Sequence, residues 1–251
     1  MQYLFYLLLG LLPSLIWLSF YLRKDQHPEP NSLVITMFVW GMLLAPLAIV
    51  LELFLIWLLT PHSNPLNLLF TDQSTIWWKI LLAATLIPAL VEEWLKYSAV
   101  RFKIVKNSEF DEPTDAMLYC IIVGLGFAAV ENLLILFKIS FPDFGQALGI
   151  IALRFVGATL VHALASAMVG YWLSQAILNP AQRKKLVAIG LSLAIIFHTC
   201  YNYLIVTAAE TGRQNLILLI IALLLVLTAL LVSYYFRKIK KQQSICKIQK
   251  I

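Results

Sequence analysis

The sequence predicts an all-α fold: a polytopic bundle of about seven transmembrane helices, with the N-terminus outside and the C-terminus in the cytoplasm. Three observations predict it. Of 251 residues, 61% are hydrophobic and 13% charged, and the mean hydropathy is +0.84. Soluble domains are about half apolar or less, so this chain cannot build a soluble surface. Apolar runs of the length needed to cross a bilayer, about 20 residues, recur along the chain. The basic residues fall in alternate connections between those runs.

Seven spans follow, at residues 1–22, 32–60, 76–100, 114–137, 145–178, 186–208 and 215–236. The first lacks a basic leader and a small-residue cleavage site, so it reads as a retained span. The second and fifth exceed the length of a simple crossing and are expected to tilt, kink or break. Pro46 falls inside the second span and Pro88 lies one turn before Glu92 in the third, and both are candidate kinks. Thr114 and Asp115 open the fourth, where Asp115 is expected to cap the helix. In that span Gly124 and Gly126 leave room for neighbouring helices.

Charge sets the orientation. Arg23 and Lys24 follow the first span; Arg101, Lys103 and Lys106 the third; Arg183, Lys184 and Lys185 the fifth. Arg237, Lys238, Lys240, Lys241, Lys247 and Lys250 fill the tail. Only Lys79, Lys138 and Arg213 stand in the opposite connections. The basic side is expected to face the cytoplasm. Residues 1–236 form one transmembrane domain with a motif-bearing core at about 76–208, and 237–251 form a basic cytoplasmic tail. The net charge of +6 therefore reads as a topology signal beside membrane lipid, and no nucleic-acid partner is expected. Cys120, Cys200 and Cys246 are far apart, with neither metal spacing nor a disulfide framework.

Ionisable side chains within the spans carry the functional reading. Glu92, Glu93 and Lys96 stand in VEEWLK, where the i+3 and i+4 spacings bring both carboxylates toward one ammonium. Such groups are expensive in hydrocarbon and mark functional sites. Two acids facing one cation favour a shared proton, which suits acid–base work. The fourth span adds Glu131 and Asn132. The fifth carries Arg154 and His162 about two turns apart, among many small residues, and the sixth carries His198 and Asn202 at i+4. Glu52 in the second span is expected to pair with Arg154. By rise per residue, straight helices put Glu131 in a different layer of the membrane from Glu92 and Glu93, nearer Glu52, Arg154 and Asn202; either the helices tilt and break, or Glu131 is structural and paired to Arg154. There is no HExxH, GxSxG or P-loop motif.

In this order the residues form a pattern. EEWLK at 92–96 matches EExxK, FAAVE at 127–131 matches FxxxE, His162 takes the third position, and HTCYN at 198–202 matches HxxxN. The set resembles the PrsW family of intramembrane proteases and, more distantly, the CAAX-prenyl endopeptidase and bacteriocin-processing superfamily. Ala158 stands four residues before His162, where the superfamily often has Phe. The resemblance implies a multi-pass protease of the bacterial cytoplasmic membrane that makes the first cut in an anti-sigma factor. It implies Glu92, Glu93, Glu131, His162, His198 and Asn202 as catalytic residues, with Lys96 as the partner of the paired acids; Arg154, from the residues alone, is expected in support.

The expected chemistry is hydrolysis of a membrane-protein or peptide substrate by activated water. One of Glu92 or Glu93, helped by His162, takes the proton, while His198 and Asn202 stabilise the oxyanion. This mechanism requires no cofactor. A close variant places zinc on His162, His198 and Glu92 or Glu93. The rivals are a proton- or ion-coupled transporter, and a noncatalytic membrane scaffold of the same fold. The absence of a visible inverted repeat weighs against the transporter, and retention of both acids and both histidines weighs against the scaffold.

Overall fold

In the computed structural model, residues 2–25, 27–59, 82–105, 107, 109–138, 143–210 and 214–243 are described. They form helices joined by short connections. These are α1 (Gln2–Leu22), α2 (Asn31–Leu59), α3 (Ile87–Lys103), α4 (Pro113–Lys138), α5 (Phe144–Val156), α6 (Ala158–Leu178), α7 (Arg183–Glu210) and α8 (Gln214–Gln243). A π-helical turn at Leu82–Leu86 leads into α3, and a single 3₁₀ turn at Pro180–Gln182 precedes α7. Among the described residues, six segments are long and apolar enough to cross a membrane, with Phe144–Leu178 counted as one. The expected third span begins at Ile76, outside the described residues; its described part is the π turn and α3. Lys79, Lys106, Arg213, Cys246, Lys247 and Lys250 also lie outside them.

The bundle is built around α4, which packs on α1, α2, α6 and, less extensively, α3 and α8. Its sequence, MLYCIIVGLGFAAV, is apolar all round, the signature of a helix with no solvent- or lipid-facing stripe. Gly124 and Gly126 are two residues apart and so face nearly opposite ways. A Cβ on Gly124 would strike the Ser166 side chain of α6, and one on Gly126 would strike the Phe38 carbonyl of α2. Gly126 therefore lets the α2 and α4 backbones touch, the small-residue crossing usual in membranes. The outer helices present large apolar side chains outward, Leu219, Leu230 and Phe54 among them.

The three proline and length expectations resolve differently. Pro46 lies inside a continuous α2. Pro88 sits at the start of α3, where a missing N–H has no intrahelical partner to lose. The long fifth span does break, at Gly157, which separates α5 from α6. Asp115 secures the start of α4, but from inside the helix. Its Oδ2 accepts the backbone N–H groups of Asp111 and Glu112 at 3.0 and 2.8 Å, the reaching-back half of a capping box.

Contacts bring the basic connections to one end of the bundle. Tyr21 stacks on Phe236 with ring centroids 6.1 Å apart, His27 pairs with Glu112, and Gln175 donates to Gln242. The ends of α1 and α8, the α3–α4 connection and the end of α6 thus lie together.

Candidate active site

Glu92 and Glu93 are neighbours on α3, about 100° apart round the helix, so they cannot face the same way. Glu93 turns inward and is fully buried; Glu92 lines a cavity of about 300 Å³. Lys96, one turn on, lies between them, with Nζ 2.8 Å from Glu93 Oε1 and 3.3 Å from Glu92 Oε2.

The imidazoles arrive from two other helices. His162 on α6 places Nδ1 2.7 Å from Lys96 Nζ, and Nε2 2.8 Å from Glu131 Oε2. An ammonium only donates, so Nδ1 accepts and Nε2–H points at the carboxylate of Glu131. His198 on α7 sets Nδ1 2.9 Å from Glu93 Oε1, where Nδ1–H donates to the carboxylate. The two rings meet edge to face, with centroids 5.1 Å apart at 86°. Each histidine is thereby oriented by its own carboxylate, a pairing that fixes tautomer and ring position.

Phe127 explains the aromatic position in FAAVE. It stands one turn before Glu131 and forms a wall of the cluster, with Lys96 Nζ 4.5 Å above its ring and His162 5.5 Å away. That contact adds a cation–π attraction for the ammonium where water is scarce.

Arg154 does not pair with Glu52 as expected. Its Nη2 donates to Glu131 Oε2 at 3.0 Å, and its Nε donates to Asn132 Oδ1. The reason is proximity across the bundle: the break at Gly157 turns α5 so that Arg154 faces α4. Asn132, fully buried, donates in turn to the Gly10 carbonyl and to Thr159 Oγ1, both at 3.2 Å, tying α1 and α6 to α4. Glu52 lines the same cavity as Glu92, Glu131 and Arg154. Glu131 is not in a separate layer either, because His162 bridges it to Lys96.

All eight expected residues therefore belong to one network or one cavity. Glu92, Glu131, Arg154, His162, His198 and Asn202 line the cavity; Glu93 and Lys96 sit behind it. Tyr201 and Glu52 line it as well. The sequence reading placed neither in the site. Tyr201 adjoins Asn202, and aromatic residues are too frequent in this chain for that to signal anything.

The donor set suits a metal ion. Glu92, Glu93, His162 and His198 are all buried and can offer one ligand atom each within 4.8 Å of one another. Glu93 Oε2 is buried and has no hydrogen-bond partner among the described residues. Two imidazoles and two carboxylates are ligand types that zinc accepts.

A helical bundle of membrane-crossing length, with acids and imidazoles gathered round an internal cavity, defines a class: a multi-pass membrane protein built for chemistry within the bilayer. Residues 29–231 match the model of the PrsW family of intramembrane metalloproteases. The chain belongs to that family, and hence to the intramembrane peptidases. It is 29% identical to Protease PrsW of Oceanobacillus iheyensis over 196 residues, covering 78% of this chain and 80% of the relative. Protease PrsW of Geobacillus kaustophilus is 28% identical over 205 residues, covering 81% and 80%. Protease PrsW of Bacillus subtilis is 24% identical over 198 residues, covering 78% and 80%. No solved structure matches the chain.

Proposed function

We propose that the chain hydrolyses a peptide bond of a membrane-associated substrate with a water molecule held in the cavity beside Glu92. The observation that carries this is the convergence of two acids and two imidazoles, from α3, α6 and α7, within 4.8 Å. Their shared cavity of about 300 Å³ has room for several waters.

Glu92 is the acid that faces the cavity, so it takes the proton from water and later returns it to the departing amine. Glu93 is a positioning residue that holds His198 through its Nδ1. Glu131 does the same for His162, and Arg154 fixes Glu131. Lys96 supplies the positive charge that lets two acids sit together. Asn202 donates to the developing oxyanion, a contribution of about 3 kcal/mol for one well-placed donor. A metal ion would be held by His162, His198 and Glu92 or Glu93; a zinc ion so bound acidifies its water and polarises the carbonyl. The transporter and scaffold readings draw no comparable support from the relatives. The finer reading, a first cut in an anti-sigma factor in a bacterial cytoplasmic membrane, rests on the family resemblance.

The test is cleavage of a reconstituted membrane substrate by single variants. Glu92→Gln is expected to lose about 10²–10⁴-fold, the usual worth of a positioned acid–base group. Glu93→Gln is expected to lose about 10–100-fold, as residues that orient metal-binding histidines do. Metal analysis of the same preparations should find zinc in the native protein and less in His162→Ala and His198→Ala. Unchanged turnover in both glutamine variants ends the proposal.

A further inference from the structure

A second, apolar cavity of about 540 Å³ lies where the α5–α6 break meets α7 and α8. Leu153, Val156, Leu218, Ala222, Val226 and Ala229 are among its walls. Arg154, Ala158, Tyr201 and Ile205 line both this groove and the polar cavity, so the two adjoin across these four residues. We propose that the groove docks an apolar transmembrane segment of the substrate protein and passes one of its peptide groups, past Arg154 and Tyr201, to the acids and imidazoles. The inference rests on the protease reading and names where the substrate of that site enters.

The groove has an outer and an inner character. Outward it is open to the bilayer: Leu153 is 70% exposed and Val226 55%. Inward it ends on a guanidinium and a phenol. An acyl chain fits the outer part but offers nothing to the polar end. A peptide segment fits both, since its side chains can be apolar while its backbone carries donors and acceptors. Those groups are satisfied inside an intact helix, and a segment opened for cleavage must find partners elsewhere. Arg154 and Tyr201 stand where that need arises. Gly157 keeps the passage narrow-walled: a Cβ there would lie 2.6 Å from Tyr201 Oη and 2.8 Å from the Leu153 carbonyl.

The test uses the Glu92→Gln chain, so that a bound segment persists, in vesicles of phosphatidylcholine and phosphatidylglycerol. A benzoylphenylalanine crosslinker replaces Val226 in the groove or, as control, Leu227, which is also exposed to lipid and lies on the far face of α8. The probe is a synthetic spanning peptide of about 20 leucine and alanine residues with a central glycine. Labelling from Val226 should exceed that from Leu227 several-fold. Ala222→Trp with Ala229→Trp should remove the excess, and Ala222→Leu, a milder block that spares the fold, should lower it. Equal labelling at the two positions, or labelling insensitive to both blocks, overturns the proposal. So does crosslinking to phospholipid or to a second copy of this chain in place of the peptide. A native chain that labels the peptide in this way yet never cuts a membrane substrate would end the hydrolase reading and leave the docking groove standing.

Discussion

The two adjacent glutamates have different surroundings because a helix turns about 100° per residue. Glu92 meets the cavity while Glu93 is sealed among Lys96 and His198. In the proposed mechanism the EE pair is one acid for chemistry and one for placement. Outside the spans, Glu29 shows the same physics at the basic end of the bundle. Partial burial holds its carboxyl above the ordinary value of 4.5, and the charges of Asp25 and Asp111 add to the effect, against the hydrogen bond from Tyr119. An acid whose folded value is raised binds its proton more tightly when folded. Its contribution is fully present below the unfolded value and is lost as pH rises through the folded one. Thermal unfolding in detergent should therefore show stability falling as pH rises from 4.5 upward through that window, with a flatter profile in Glu29→Gln. The residue types of the site were legible in the sequence because ionisable groups are costly in hydrocarbon and stand out there. The partner of Arg154 was legible only as a choice between Glu52 and Glu131. Straight rods put Glu52 and Glu131 alike in the layer of Arg154, and nothing in RFVGATLVH reveals how far the chain turns at Gly157, which decides between them.

At the scale of the element, α4 is the axis on which the site depends. It carries Phe127, which walls Lys96 of α3, Glu131, which meets His162 of α6 and Arg154 of α5, and Asn132, which donates to the Gly10 carbonyl of α1. Its register is set by Gly124 and Gly126 against α6 and α2. Gly126→Val forces α2 away from α4, and overpacking of this kind costs about 1–3 kcal/mol. The expected readout is a lower unfolding temperature in detergent, together with impaired cleavage, because the wall behind Lys96 shifts. The helices themselves were legible, since long apolar runs leave few alternatives. Their expected ends at Val100 and Phe137 came within a few residues of the observed ends of α3 and α4, Lys103 and Lys138. The two-part nature of the fifth span was legible only as excess length.

For the whole molecule, the placement of the basic connections at one end turns local charge into an orientation. The excess of Lys and Arg there supports a cytoplasmic location for that end, with the N-terminus outside. Single cysteines at Arg23 and Arg183, in a chain without native cysteines, should resist a membrane-impermeant maleimide in intact cells and react after permeabilisation. A cysteine at Asp143 should react from outside in intact cells. The reverse pattern would invert the bundle. Overall architecture was the most legible level of all, because hydropathy and charge are properties of the chain as a string. What the string does not contain is convergence: His198 lies 105 positions from Glu93 in sequence and 2.9 Å from it in space.

The centrality of α4 has a consequence for biogenesis. Synthesis proceeds from the N-terminus, so Glu92, Glu93 and Glu131 enter the membrane before Arg154, His162 and His198 exist. Once α4 has been inserted, Glu52, Glu92, Glu93 and Glu131 stand in hydrocarbon beside the ammonium of Lys96, with Arg154 and both imidazoles still to come. The later helices bring the guanidinium and the imidazole donors with which Glu131 and Glu93 pair, and maturation of the nascent chain has to wait for them.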